Sequence, residues 1–154
     1  DVRPGATLDE DASATLTIER ISGPAQIAAS EKVYLYYRDS SSNALTANVT
    51  NATYLTKVTD SHGCWSGTLF TAPRAGVYRF TGAMAMTAAS TNYVQLYING
   101  SVAQTSSLDS NNSIKPFAYE YYMQSGDTAS VRSTASVTLN TNVTNHWIAI
   151  SSQG

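Results

Sequence analysis

Leu69–Phe80 reads LFTAPRAGVYRF. Pro73 and Gly76 punctuate it as a turn, because proline presets its own φ and glycine relieves the steric limit on the next bend. The run GVYRFTGAMAMTA, beginning at Gly76, alternates too cleanly for a helix. Tyr78, Phe80, Gly82, Met84 and Met86 fall on one face, and Val77, Arg79, Thr81, Ala83 and Ala85 on the other. Period two over that length predicts a long central strand launched from a tight turn.

Outward in both directions the pattern repeats. TLTIERI (Thr15–Ile21) and EKVYLYYR (Glu31–Arg38) alternate in the same way, the second with Val33, Leu35 and Tyr37 against Tyr34 and Tyr36. ATYLTKV reads as a strand ending at TDSHG. YVQLYING directs Val94, Leu96 and Ile98 inward and Tyr93, Gln95 and Tyr97 outward. Asn99-Gly100 is the strongest hairpin signal, since both central residues of a type I′ turn need positive φ. SVAQTSS returns as its partner. FAYEYYM, TASVRSTASVTL and HWIAISS complete the series, with QSGD as a turn between the first two. Eight or more short antiparallel strands without an amphipathic helix predict an all-β, two-sheet sandwich or jelly roll.

The 154 residues suffice for one domain with a core. Charged residues make up only 13%, so solubility rests on Ser, Thr, Asn and Gln. A net charge of −2 leaves no electrostatic footprint for nucleic acid. No apolar run approaches the roughly 20 residues of a membrane-spanning helix, so membrane insertion is not expected. Cys64 is the single cysteine, which rules out an intrachain disulfide. The opening Asp1-Val2-Arg3-Pro4-Gly5 reads like an excised domain or a matured product.

Four ordered elements resemble the complement one-q globular-head domain, one of the tumour-necrosis-factor-like jelly rolls. They are Phe70, Pro73, Gly76, Tyr78 and Phe80 at a strand entry, Asn99-Gly100 at a hairpin, Gly126-Asp127 before a valine-bearing strand, and the closing HWIAIS. The resemblance spans roughly Glu31–Ser152. The front half looks more like the version found on tailed-phage fibres, spikes and other virion proteins. It implies an N-terminal strand and connector over residues 1–30 and a homotrimeric jelly-roll domain over 31–154. It also implies a non-enzymatic module, folded in the host cytoplasm and displayed on the virion surface, that contacts a host glycan or receptor. The alternatives are a trimerisation or capsid-decoration domain without ligand, and a secreted complement-like binding protein.

A strand apolar on both faces must bury both. Tyr34, Tyr36, Val77, Arg79 and Ala83 are therefore expected at the trimer interface, with small Ala and Thr residues allowing close approach and Arg79 paired to Glu31, Glu120 or Asp127. Tyr93, Tyr97, Tyr119, Tyr121 and Trp147 are the candidate ligand-binding residues, because aromatic faces beside amides and hydroxyls suit carbohydrate. Asp60, His62 and Cys64 alternate like metal ligands, but a structural zinc site wants a fourth ligand. They read as a polar loop with one buried thiol, so neither metal nor cofactor is expected. Only His62 and His146 could serve as a histidine base, and no serine sits in a Gly-x-Ser-x-Gly elbow.

Overall fold

The computed structural model describes residues 31–39, 42–106, 109–140 and 145–153. The strand expected over Thr15–Ile21, with the rest of 1–30, lies outside the described residues. The chain runs β1 (Tyr34–Arg38), β2 (Ala44–Leu45), β3 (Thr56–Asp60), β4 (Phe70–Thr71), β5 (Gly76–Asn92) and β6 (Val94–Ile98). It continues through β7 (Ser101–Thr105), β8 (Asp109–Met123), β9 (Thr128–Ser133), β10 (Val137–Thr138) and β11 (Trp147–Gln153). Among the described residues there is no helix, and every paired strand is antiparallel. A five-stranded sheet, β3-β1-β11-β5-β8, faces a four-stranded sheet, β4-β9-β6-β7, with a short β10-β2 ribbon beside them.

The strand launched from the opening stretch forms as expected. β5 lies between β11 and β8, and Tyr78, Phe80 and Met84 are fully buried on its core face. Leu35, Ile148 and Ile150 join them from the same sheet; Phe70, Ala129, Val131, Val94 and Leu96 meet them from the other. Phe70 packs edge-on to Tyr78 (5.2 Å) and Phe80 (5.9 Å), so the residue before the Pro-Gly turn seals the strand after it. Asn99 and Gly100 have φ of 49° and 81°, and Ile98 pairs with Ser101, giving the two-residue hairpin expected from Asn-Gly.

Three sequence readings need correction. TASVRSTASVTL is two strands, not one: Ser133 Oγ accepts the Ala135 N–H and the Asn92 amide, and the chain bends there between β9 and β10. A serine hydroxyl that captures nearby backbone can break a strand without any Gly or Pro to announce it. In ATYLTKV, Ala52 and Tyr54 donate to Val131 and Gly67, on different segments, so regular pairing begins only at Thr56. In FAYEYYM, Tyr119, expected to face a ligand, instead faces inward. Phe117, Tyr119 and Met123 point into the core, while Glu120 and Tyr122 stand outside.

Candidate functional site: two outer sheet faces

Each sheet turns one face to the core and leaves the other outside. On the five-stranded sheet the register lays the outer residues in rows. Tyr36, Ala149, Thr81 and Ala118 form one row, and Tyr34, Ser151, Arg79 and Glu120 the next. Arg38, Trp147, Ala83 and Pro116 form a third. The inner strands β11 and β5 thus carry Ala149, Thr81 and Ser151 beside Arg79, with larger residues on β1 and at the strand ends. Tyr34 is 45% exposed, Val77 38% and Tyr122 55%. Tyr36 and Trp147 meet edge to face at 6.0 Å, and the Arg38 guanidinium lies over the Tyr36 ring and donates from Nε to its hydroxyl at 2.8 Å.

Arg79 stands on this outer face with Glu120 directly opposite, their charged atoms 3.9 Å apart and both side chains more than half exposed. Of the three acids expected as partners, Glu120 is the one that the register supplies. Ala83 differs from the other residues assigned to self-association. It is only 6% exposed in the single chain, because Trp147 and Pro116 flank it in register, so it has little area left to bury.

The five candidate ligand-binding aromatics do not share a surface. Tyr119 belongs to the core, where its hydroxyl donates to the Val94 carbonyl at 2.6 Å; burial pushes its pKa up to about 12. A ring tied across the sandwich in this way cannot stack on a ligand. Tyr121 follows the core-facing parity of β8 but lies outside the core cluster and is 36% exposed, and Trp147 lies on the outer face of the five-stranded sheet. Tyr97 is on the outer face of the four-stranded sheet but is buried beneath Arg132, whose guanidinium sits 4.1 Å from the ring centroid. Tyr93, on that same face, remains 38% exposed.

The residues around Tyr97 form a connected polar strip that the sequence pattern does not single out. Tyr97 Oη donates to Gln95 Oε1 (3.3 Å), and Gln95 Nε2 donates to Thr105 (3.2 Å). Arg132, opposite Gln95 on β9, donates from Nε to Asn51 Oδ1 (2.7 Å) and from a terminal nitrogen to the Asn48 carbonyl (3.0 Å). The segment carrying those acceptors is itself fastened along β9, through Asn48 N–H to Ser133 O and Ala52 N–H to Val131 O, both 2.8 Å. The sequence holds one usable signal: Arg132 lies between the outward Ser130 and Thr134 of an alternating strand.

The TDSHGC turn is organised by Asp60. Its Oδ1 accepts the N–H groups of His62, Gly63 and Cys64, and its Oδ2 accepts the Trp65 N–H and the Tyr37 hydroxyl. Burial alone would raise its pKa, but the backbone and Tyr37 bonds together hold it below the usual carboxylate range. Burial, followed by the Asp60 charge, pushes the Cys64 thiol up to about 12, far from a reactive thiolate. Ser61 Oγ lies against His62 Nδ1, and Glu31 is 3.3 Å from Nε2, an ion-pair distance without hydrogen-bond alignment. His146 is fully buried and stacked on Tyr54 (4.4 Å). Its Nδ1 accepts the Ala85 N–H and its Nε2 donates to Thr53 O, so the neutral Nε2–H tautomer is fixed and both nitrogens are used. Among the described residues no group of three His, Cys, Asp or Glu side chains could hold a metal ion.

The sequence matches no protein-family model and no curated protein. Its fold is shared with solved structures. Murine APRIL superposes with a TM-score of 0.63 at 11% identity, over 80% of this chain and 100% of that one. Eiger TNF from S. frugiperda gives 0.57 at 14%, over 80% and 92%. The globular domain of zebrafish complement 1qA protein gives 0.53 at 12%, over 78% and 92%. At such low identity the likeness is one of architecture, and the architecture is the tumour-necrosis-factor and complement-one-q type of jelly roll.

Proposed function

We propose that this chain is a non-enzymatic, homotrimeric binding module of a bacteriophage virion, the distal domain of a tail fibre, spike or needle that contacts host-surface glycans. The observation that carries the reading is the outer face of the five-stranded sheet. On its inner strands β11 and β5 stand Ala149, Thr81 and Ser151 beside Arg79, which pairs with Glu120 of the edge strand β8; Tyr34, Tyr36, Val77, Trp147 and Tyr122 lie around them on β1, on β8 and at the strand ends. Small central residues let backbones approach, and exposed aromatics around them gain by leaving water. Packing that face against other copies leaves the four-stranded sheet outside to meet a ligand. A single reduced Cys64 suits folding in the host cytoplasm.

The test is sedimentation equilibrium at micromolar concentration, paired with adsorption assays in which the isolated protein competes with phage for host cells. A species of three times 16.4 kDa that blocks adsorption supports the reading. A monomer of 16.4 kDa overturns the assembly. A trimer that neither binds glycans nor blocks adsorption leaves the structural clamp or decoration role instead.

A further inference from the structure

We infer that the outer face of the four-stranded sheet holds a site for an acidic saccharide, with Arg132 receiving the anionic group and Tyr93 stacking on the sugar ring. The inference rests on the reading of this chain as a surface-binding module and names the class of glycan it takes. Arg132 is immobilised before any ligand arrives: Tyr97 supports one face of the guanidinium, and Asn51 and the Asn48 carbonyl hold two of its N–H groups. Both acceptors are neutral. Among the described residues no carboxylate lies within ion-pair distance of Arg132, the ion pairs being His62–Glu31 and Arg79–Glu120. Among the described residues the positive charge is therefore uncompensated, and three of the five guanidinium donors make no bond to a described residue.

This is an unusual way to keep an arginine on a surface. A flexible, solvated side chain would lose rotamer entropy on binding, whereas here the fold has already ordered the fork. Carboxylate and phosphate are the groups that match its geometry in a two-point contact. The neighbours give the class of molecule that carries the anion. Thr134 N–H donates to Tyr93 O (3.0 Å) and Gln95 pairs with Arg132, so Tyr93 and Tyr97 flank Arg132 as its two diagonal cross-strand neighbours, each with its backbone about 7–8 Å away, and the guanidinium leans on Tyr97. An oligosaccharide laid along the strip with one ring on the exposed Tyr93 face would carry the acidic group of a further residue toward the fork over Tyr97. The Gln95 amide and the Thr105 hydroxyl continue the strip toward β7 and offer partners to sugar hydroxyls.

The experiment is calorimetric titration of the whole protein with three probes: a galacturonate oligosaccharide, its carboxyl-reduced neutral counterpart, and a phosphorylated disaccharide. One or both acidic probes should bind about tenfold or more tightly than the neutral one, the worth of one charge-assisted contact, and added salt should weaken them. Whichever acidic probe binds identifies the anion. Arg132→Gln should erase the preference. Should that variant fail to fold, Tyr93→Ala, which leaves the Arg132 support untouched, should weaken acidic probes about tenfold while their salt dependence persists. Equal binding of acidic and neutral probes overturns this inference and leaves glycan contact standing. Binding of none of the three overturns this inference, and the glycan reading is then decided by the adsorption assay.

Discussion

Gly82→Ala should be the most damaging single-methyl change in the core. Gly82 lies on the inward face of β5 between Phe80 and Met84, paired with Phe117 on β8 and Ile148 on β11. A Cβ there would stand 2.4 Å from the Trp147 carbonyl oxygen and 2.5 Å from Phe117 Cζ. Ordinary carbon contacts lie near 3.5–4.0 Å, so each approach is short by about an ångström. Phe117 could yield only by disturbing its stack on Tyr119, 5.7 Å away. The Trp147 oxygen is backbone, and moving it means shifting β11 against β5 along their seven paired positions. Overpacking of this kind costs about 1–3 kcal/mol, and obstruction from two sides, one of them backbone, puts it near the top of that range. Replacing a strand glycine returns about 0.5–1 kcal/mol of chain entropy, so the net loss should be about 2 kcal/mol or more. Urea unfolding followed by fluorescence, at matched protein concentration because association would shift the midpoint, measures it. Adding Phe117→Leu should recover part of the loss, since the backbone contact remains. A Gly82→Ala protein within about 0.5 kcal/mol of the parent would refute the packing argument.

Burial depresses the pKa of His146, the Thr53 carbonyl and Asp39 offsetting only part of that effect. The stability its neutral form contributes is therefore complete above the unfolded value near 6.5. It declines as pH falls through and below that value toward the folded one, by up to about 1.4 kcal/mol per pH unit; His146→Gln should flatten that slope in unfolding curves between pH 5 and 7. Gly100, at φ 81° with open space around it, should cost about 1 kcal/mol as alanine through backbone strain alone, and an unchanged melting curve would contradict the type I′ turn. Arg79→Ala breaks an exposed pair and should change protomer unfolding by less than about 1 kcal/mol. If copies pack on that face, the same variant should destabilise the trimer measurably more than it weakens the fold, which sedimentation against urea melts will decide.

Period-two alternation was enough to identify the strands and the core face of β1, β5 and β6, because a buried face forces every second residue to be apolar. Pro73, Gly76 and Asn99-Gly100 declared their turns for equally local reasons, since only certain residues tolerate the required φ. Alternation failed where both faces carry aromatics. In Phe117–Met123 either parity buries tyrosines, and only the pairing of Tyr119 with Phe80 and of Glu120 with Arg79 selects which side enters the core. The break after Ser133 was equally invisible, since it depends on Asn92 reaching Ser133 across 41 positions of sequence. The same holds for the surface strip. Arg132, Tyr97, Gln95 and Asn51 come from three separated segments, each unremarkable alone, and become one connected strip only when β9 pairs with β6 and the Asn48–Ala52 segment closes along its edge. Local sequence determines which residues can face outward. Which of them then stand side by side is decided by strand register, a long-range property that no short stretch contains.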